Sequence, residues 1–534
     1  MKKKKEYNLM IVNVALACML VLSVFALWLL SWYSISGTYL IRGFLWLDTV
    51  FIPDRPIIKA GLFLVTAAGL IPLSVAVCRL KDRGEALSRY VLYAVSVCSL
   101  LLGFFYVAAH PYYMDGDQII TFYAGVYARY EGSVHQFSMF SPGGYMSIYP
   151  QQKGLAFFYY LLYPFLKDDM FICLQFLHLI YPQMILYCGY LILRTEKVSP
   201  FGRILFNITY LGCIPLILYL PYMYGDLGSV AFSFSAILFL VRYIGGSHIR
   251  DAVFMCMSVS AALLMRKQIW IFIAALVIVL VLEAVRTVKI RFVVLALCTV
   301  LAAGMSFKGI DAFFASRSGY ESSRGVPSVC WLVMGLQETN GFPGIYNRYN
   351  QSVYEENGFD PEMAKAEACA DLRERMEYFA SNGVYARSFF AAKLRQEWTA
   401  PDFEALSSTR VWDPRSGRDT ENVAGWLVSL YSGVRYGQMM TLADVYQSMV
   451  YLGAFLGAVV LLFKKKKDIP VSLILAYTYL LGGFIFFAFW ENKSRYVMPF
   501  FVCLLLTLPF LADELSRIPA RTGNPAAGPR HGKG

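Results

Sequence analysis

The sequence predicts an all-α polytopic membrane protein, a bundle of about twelve transmembrane helices carrying an extracytoplasmic helical subdomain. Three observations lead there. Hydrophobic residues make up 57% of the chain and charged residues 16%, whereas a soluble protein carries about 25% charged. Apolar runs near the ~20 residues needed to cross a hydrocarbon core recur along the whole length. The loops on every second side of those runs are basic, so the net charge of +12 reads as the positive-inside pattern and not as a nucleic-acid surface.

Candidate spans cover 9–33, 57–78, 90–109, 170–193, 201–221, 227–244, 252–265, 269–285, 291–307, 443–463, 469–490 and 496–512. Those at 252–265 and 291–307 are short. The start, MKKKKEYN, has the charge of a signal peptide. Its apolar run to Trp32 is too long for an h-region and lacks a small-residue cleavage site, so it reads as a retained first span. The segment 155–166 is too short to cross and is expected at the interface or re-entering.

With the N-terminal lysines cytoplasmic, alternation places 79–89, 194–203, 242–250, 286–291, 464–467 and the C-terminal tail inside, and each is basic. The opposite face then receives Asp115, Asp117, Asp226, the turn 266–268, the region 308–442 and the ENKSRY segment at 491–496. The expected organisation is a membrane domain over 1–307 with an outer loop at 110–169, the subdomain 308–442, C-terminal spans over 443–517, and a disordered cytoplasmic tail over 518–534 rich in Gly, Pro and Arg.

Within the outer region, Asp360-Pro361 is a helix start, with Asp as cap and Pro in the first turn. Met363, Ala366, Ala370, Met376 and Phe379 are its expected apolar positions. Most of the eleven cysteines lie in apolar spans, where thiols behave as small hydrophobes. Cys330 and Cys369 fall in the polar region, and a disulfide between them stays open.

Acidic residues beside a membrane are costly unless used, which singles out Asp115 and Asp117 in the outer loop. A carboxylate held near a hydroxyl is a general base, so these two are the catalytic candidates. A departing phosphate is best met by arginine, whose planar fork makes paired charge-assisted bonds. Arg495, Arg266 and Lys267 are the candidate cations. Tyr149 and Gln151 follow the acidic loop, while Asp226, Glu491 and Tyr496 complete the candidate binding set. Plainer readings stand beside these. Asp-Gly-Asp is a common turn, Asp226 suits a helix cap, and Arg495 suits a snorkelling side chain. Isolated His110, His135 and His178 read as structural or interfacial. Asp115, Asp117 and Asp226 could also hold Mg²⁺ or Mn²⁺.

The stretches DGDQ (115–118), GGYMSIYPQQKG (143–154), YGD (224–226), RKQ (266–268) and ENKSRYVMPF (491–500) occur in this order, with Ala124 and Gly132 between the first two. In this the chain resembles the GT-C superfamily of integral-membrane glycosyltransferases, which includes protein O-mannosyltransferases and aminoarabinose transferases acting on lipid A. The segment 327–347 looks like the outer segment of Gram-positive members. The resemblance covers 110–270 and 470–512. It departs where many relatives have Asp-Glu and this chain has Asp117-Gln118, and in the two extra spans that precede the acidic loop, where many relatives have one. It implies a GT-C-like bundle, a polyprenyl-phosphate sugar donor, and inverting transfer of a monosaccharide to a glycan, lipid or protein acceptor on the outer face during cell-envelope glycan or glycoconjugate synthesis. The alternatives are a lipid-linked glycan flippase or transporter, which would place charges at mid-membrane depth, and a surface polysaccharide polymerase or ligase.

Overall fold

The computed structural model describes residues 2–41, 49–80, 82–110, 114, 116–130, 135–409, 424–431 and 433–522. Helix α1 (Lys2–Ser36) opens the chain and buries Val12, Leu16, Leu20, Leu27 and Leu30. An unexpected hairpin follows: β1 (Gly37–Ile41) pairs antiparallel with β2 (Thr49–Pro53). Helix α2 (Pro56–Arg79) starts on a proline whose missing N–H costs nothing in a first turn. Helix α3 (Asp82–Ala109) then leads to the loop expected over 110–169.

That loop folds into α4 (Asp117–Arg129), α5 (Tyr145–Ile148) and α6 (Lys153–Leu166). Helix α6 spans about 21 Å at 1.5 Å per residue, too little to cross. It packs on α4 at Gly125, where a Cβ would stand 2.2 Å from the Ala156 carbonyl oxygen.

Next come α7 (Met170–Leu177), α8 (Ile180–Thr195), α9 (Pro200–Gly212), α10 (Pro215–Leu218), α11 (Asp226–Gly246), α12 (Ile249–Met265), α13 (Ile269–Thr287) and α14 (Arg291–Ser318). The region expected to form the subdomain holds α15 (Ser328–Leu336), the short pair β3 (Glu338–Thr339) and β4 (Phe342–Pro343), α16 (Tyr349–Glu356), α17 (Pro361–Ser381), α18 (Gly383–Trp398), α19 (Ala405–Ser408) and α20 (Gly425–Tyr431). The chain closes with α21 (Val434–Phe463), α22 (Val471–Phe489), α23 (Met498–Leu504) and α24 (Thr507–Thr522).

Ten stretches among the described residues are long and apolar enough to cross a membrane, two fewer than expected. The expected span 201–221 is broken at Cys213, where Pro215 removes a donor and α9 gives way to α10. The expected span 252–265 is α12, a helix of 17 residues. The expected short span 291–307 instead continues to Ser318, and α21 starts at Val434, so the expected limits at 307 and 442 fall inside helices. Helix α24 likewise runs to Thr522, past the expected start of the tail at 518.

Asp360 caps α17 as expected, accepting the N–H groups of Glu362 at 2.8 Å and Met363 at 3.2 Å. The buried stripe differs. Ala364, Ala368 and Phe379 face inward, while Met363 and Met376 are exposed. The small side chains let α17 approach α15, which the methionines would not. Cys330 is buried in that contact and Cys369 is exposed, and both thiols are free, so they do not pair.

Cross-helix contacts sort the loops to two ends. At one end Arg203 pairs with Glu85, Lys464 with Glu514 at 2.8 Å, and Asp513 accepts the Ser199 N–H at 2.8 Å. The expected inner loops 79–89, 194–203 and 464–467 therefore lie together. At the other end Asp226, Arg266 and Arg495 meet.

Candidate functional site

The site is assembled by chain turns at that second end. Gly225 has φ +83°, which favours glycine, and a Cβ there would stand 2.6 Å from the Met265 carbonyl oxygen. The turn thus presses the first residue of α11, Asp226, against the end of α12. Asp226 is 1% exposed. Its Oδ1 lies 3.3 Å from Arg266 Nη2 and 3.9 Å from Arg495 Nε. Its place in the first turn of α11 also suits a negative charge.

Tyrosines hold both guanidinium groups. Arg266 Cζ is 4.8 Å from the Tyr224 ring centre and 5.5 Å from that of Tyr496. Arg495 Cζ is 5.0 Å from Tyr222, 5.3 Å from Tyr224 and 5.5 Å from Tyr496. Such faces stabilise a cation withdrawn from water. The ion-pair distances are long for charge-assisted bonds, which run to about 2.9 Å. Neither Asp226 oxygen nor Arg495 Nε has a hydrogen-bond partner among the described residues. Arg495 therefore keeps donor capacity for a further anion.

Asp117, the first residue of α4, is exposed and accepts the Tyr224 hydroxyl at 3.3 Å through Oδ2. The ring beneath both arginines thus carries the hydroxyl that touches Asp117. Tyr224 also accepts from Gln152 Nε2 at 2.6 Å and lies 3.3 Å from the Tyr145 hydroxyl. Burial lifts the Tyr145 and Tyr224 phenols well above their ordinary values, and the Asp117 charge adds to both, so they stay protonated. Glu491 is buried and accepts the Tyr496 hydroxyl at 3.1 Å. Its carboxyl is raised by burial, against the pull of Lys493.

Six expected residues therefore share one network: Asp117, Asp226, Arg266, Arg495, Glu491 and Tyr496. Asp115 lies outside the described residues. Lys267 is exposed and makes no ion pair among the described residues, because the turn sends Arg266 inward and Lys267 outward. Gln151 makes no side-chain hydrogen bond there, and its neighbour Gln152 takes the contact with Tyr224. Tyr149 turns to α16, donating to Gln351 Oε1 at 3.3 Å, and Tyr145 occupies the place nearer Asp117. The set Asp115, Asp117 and Asp226 named for a metal is divided, since Asp226 faces two guanidiniums. Among the described residues no cluster of three or more His, Cys, Asp or Glu suits a metal ion.

A second group of residues escaped the sequence reading. The segment 396–406, within the region expected to form the subdomain, is buried throughout, with Glu397, Trp398, Asp402, Phe403 and Glu404 each at most 4% exposed. Phe403 and Glu404 adopt φ of +50° and +62°, a costly pair for residues with side chains. The turn aims Glu404 Oε1 at the Ser494 N–H, 2.7 Å away, one residue before Arg495. Burial lifts Glu404 to about 7 against the pull of Lys493, and lifts Asp402 to about 6. Burial lowers the Lys493 ammonium, but Glu491, Tyr496 and Glu404 outweigh it and hold it above its ordinary value. The signal for this segment was three acids among aromatic and small apolar residues.

Fold and site together define a helical multi-pass membrane protein with an acid–arginine–tyrosine cluster at one end of the bundle. No family model matches the chain, and no curated protein matches it.

Proposed function

We propose that this protein is a GT-C-like membrane glycosyltransferase that moves one sugar from a polyprenyl-phosphate donor to an acceptor hydroxyl at the extracytoplasmic face of the cell membrane. Its termini then lie in the cytoplasm. The observation that carries the reading is the joining of Asp117 to Arg266 and Arg495 through one tyrosine, Tyr224, from separate parts of the chain.

In this reading the acceptor oxygen attacks the anomeric carbon as the bond from that carbon to the phosphate oxygen breaks. The acceptor proton passes to Asp117. The charge leaving on the lipid phosphate is received by Arg266 and Arg495, which Asp226 and the tyrosines hold in place. A single displacement of this kind inverts the sugar. The arginines suit a phosphodiester because each offers several fixed N–H donors.

The test is sugar transfer from a radiolabelled sugar-lipid in membranes, comparing the wild type with Asp117→Asn at matched levels of folded protein. Transfer should fall by about 10²–10⁴-fold, the usual worth of a general base. Unchanged transfer would remove Asp117 as the base. Labelling of a cysteine placed at 117 by an impermeant reagent on intact cells tests the proposed sidedness.

A further inference from the structure

At the opposite end of α3, about 40 Å away along that helix, lies a cavity of about 540 Å³ between the ends of α3, α8 and α9. Arg89, Arg194, Lys197 and Arg203 converge on it, with Glu85 the one acid among the described residues that line it. Glu85 is bonded to Arg203: its carboxylate takes both terminal nitrogens, one at 3.0 Å, and its charge also reaches Arg194 and Arg89 from farther off. Arg203 is 2% exposed and rests 5.6 Å from the Tyr190 ring centre. The nearby Asp513 is committed to the N–H and hydroxyl of Ser199. Arg89, Arg194 and Lys197 remain, exposed and without an ion pair among the described residues. The positive-inside pattern explains basic residues in these loops. It does not explain why four from three helix ends line one cavity.

A second observation points to what fills it. From Arg89, the same face of α3 continues one and two turns on through Tyr93 and Val97, which are 54% and 56% exposed. On α8, Tyr187 lies two turns before Arg194, is 37% exposed, and donates to Ser96 of α3 at 3.2 Å. Three cations thus sit at the foot of an exposed aromatic and apolar track.

We propose that this cavity binds the phosphate headgroup of an anionic phospholipid from the basic-loop leaflet, with its acyl chains along the α3–α8 track. Basic pockets between spans hold anionic headgroups, and each cation near the surface contributes enough for a several-fold preference. The volume accommodates a phosphoglycerol group. This site is separate from the sugar-transfer site and stands whether or not that reading holds.

The test uses the full chain purified in mild detergent, delipidated and offered phosphatidylglycerol or phosphatidylcholine, with bound lipid counted by native mass spectrometry. Phosphatidylglycerol should be retained about 10- to 100-fold more strongly. The triple variant Arg89→Gln/Arg194→Gln/Lys197→Gln should lose that preference, and Arg194→Gln alone should weaken it. Glycerol 3-phosphate at equal phosphate concentration should not displace the lipid. No preference in the wild type overturns the proposal, as does an unchanged preference in the single or triple variant. Full displacement by glycerol 3-phosphate would assign the cavity to a soluble phosphate and overturn the lipid source.

Discussion

At the site end of the bundle Arg266 and Arg495 are 8% and 5% exposed, share the buried carboxylate of Asp226 and lie on tyrosine rings. At the basic end Arg89, Arg194 and Lys197 are exposed around a cavity and make no ion pair among the described residues. The same residue types stand at helix ends in both places, under opposite constraints. Withdrawing a guanidinium from water is costly, so it needs a counter-charge and aromatic faces. A guanidinium at the rim needs neither and stays available to mobile anions. Burial with partners marks an arginine held to one geometry, and exposure without partners marks one that adapts to what arrives.

Substitutions at the two ends should therefore separate. The largest effect is on chemistry at the site end: Asp117→Asn lowers transfer as stated above while barely changing the melting temperature, because Asp117 is exposed and its hydrogen bond from Tyr224 is long. Next is Asp226→Asn, which leaves two buried guanidiniums without a counter-charge. It should destabilise the protein by about 3–5 kcal/mol, read by denaturation in detergent. A small loss would mean that the tyrosines alone carry the arginines.

Glu404 comes third. Its carboxyl is raised from 4.5 to about 7 by burial, with Lys493 and the Ser494 N–H opposing and Asp402 and Glu491 reinforcing. The unfolded chain gives up this proton first as pH rises. Its contribution to stability is complete below about 4.5 and is lost as pH passes through 7. Melting temperatures should fall from pH 5 to 8, and Glu404→Gln should remove part of that fall, about 1–3 kcal/mol over the window. An identical slope in the variant would detach Glu404 from it. Smallest is Arg194→Gln at the basic end, expected to change stability by less than about 0.5 kcal/mol and to leave transfer unaltered.

Much of the molecule was legible before its structure. Long apolar runs must become helices in a bilayer, because backbone groups there have no water to bond. The charge of the loops sorted them to two ends, and the contacts of Arg203 with Glu85 and of Arg266 with Asp226 agree with that sorting. The cap at Asp360 was equally local, needing only Asp before Pro and an apolar run. Where the reading failed, the decision was not local. Met363 and Ala364 both lie on apolar stripes of α17, and only packing on α15 selected the small one. The three acids of the segment 396–406 carry no local sign of burial, and only packing of the whole bundle encloses Glu397, Asp402 and Glu404.

What the sequence determined was the helical multi-pass architecture and most of the residue types at the site, because hydrophobicity, charge and capping act over a few neighbours. Tertiary structure alone decided that Arg266 turns inward while Lys267 turns out, that Tyr224 joins Asp117 to two arginines, and that four cations surround one cavity at the far end. Those facts depend on which helix ends meet, and the meeting of surfaces distant in the chain is set by packing of the whole bundle.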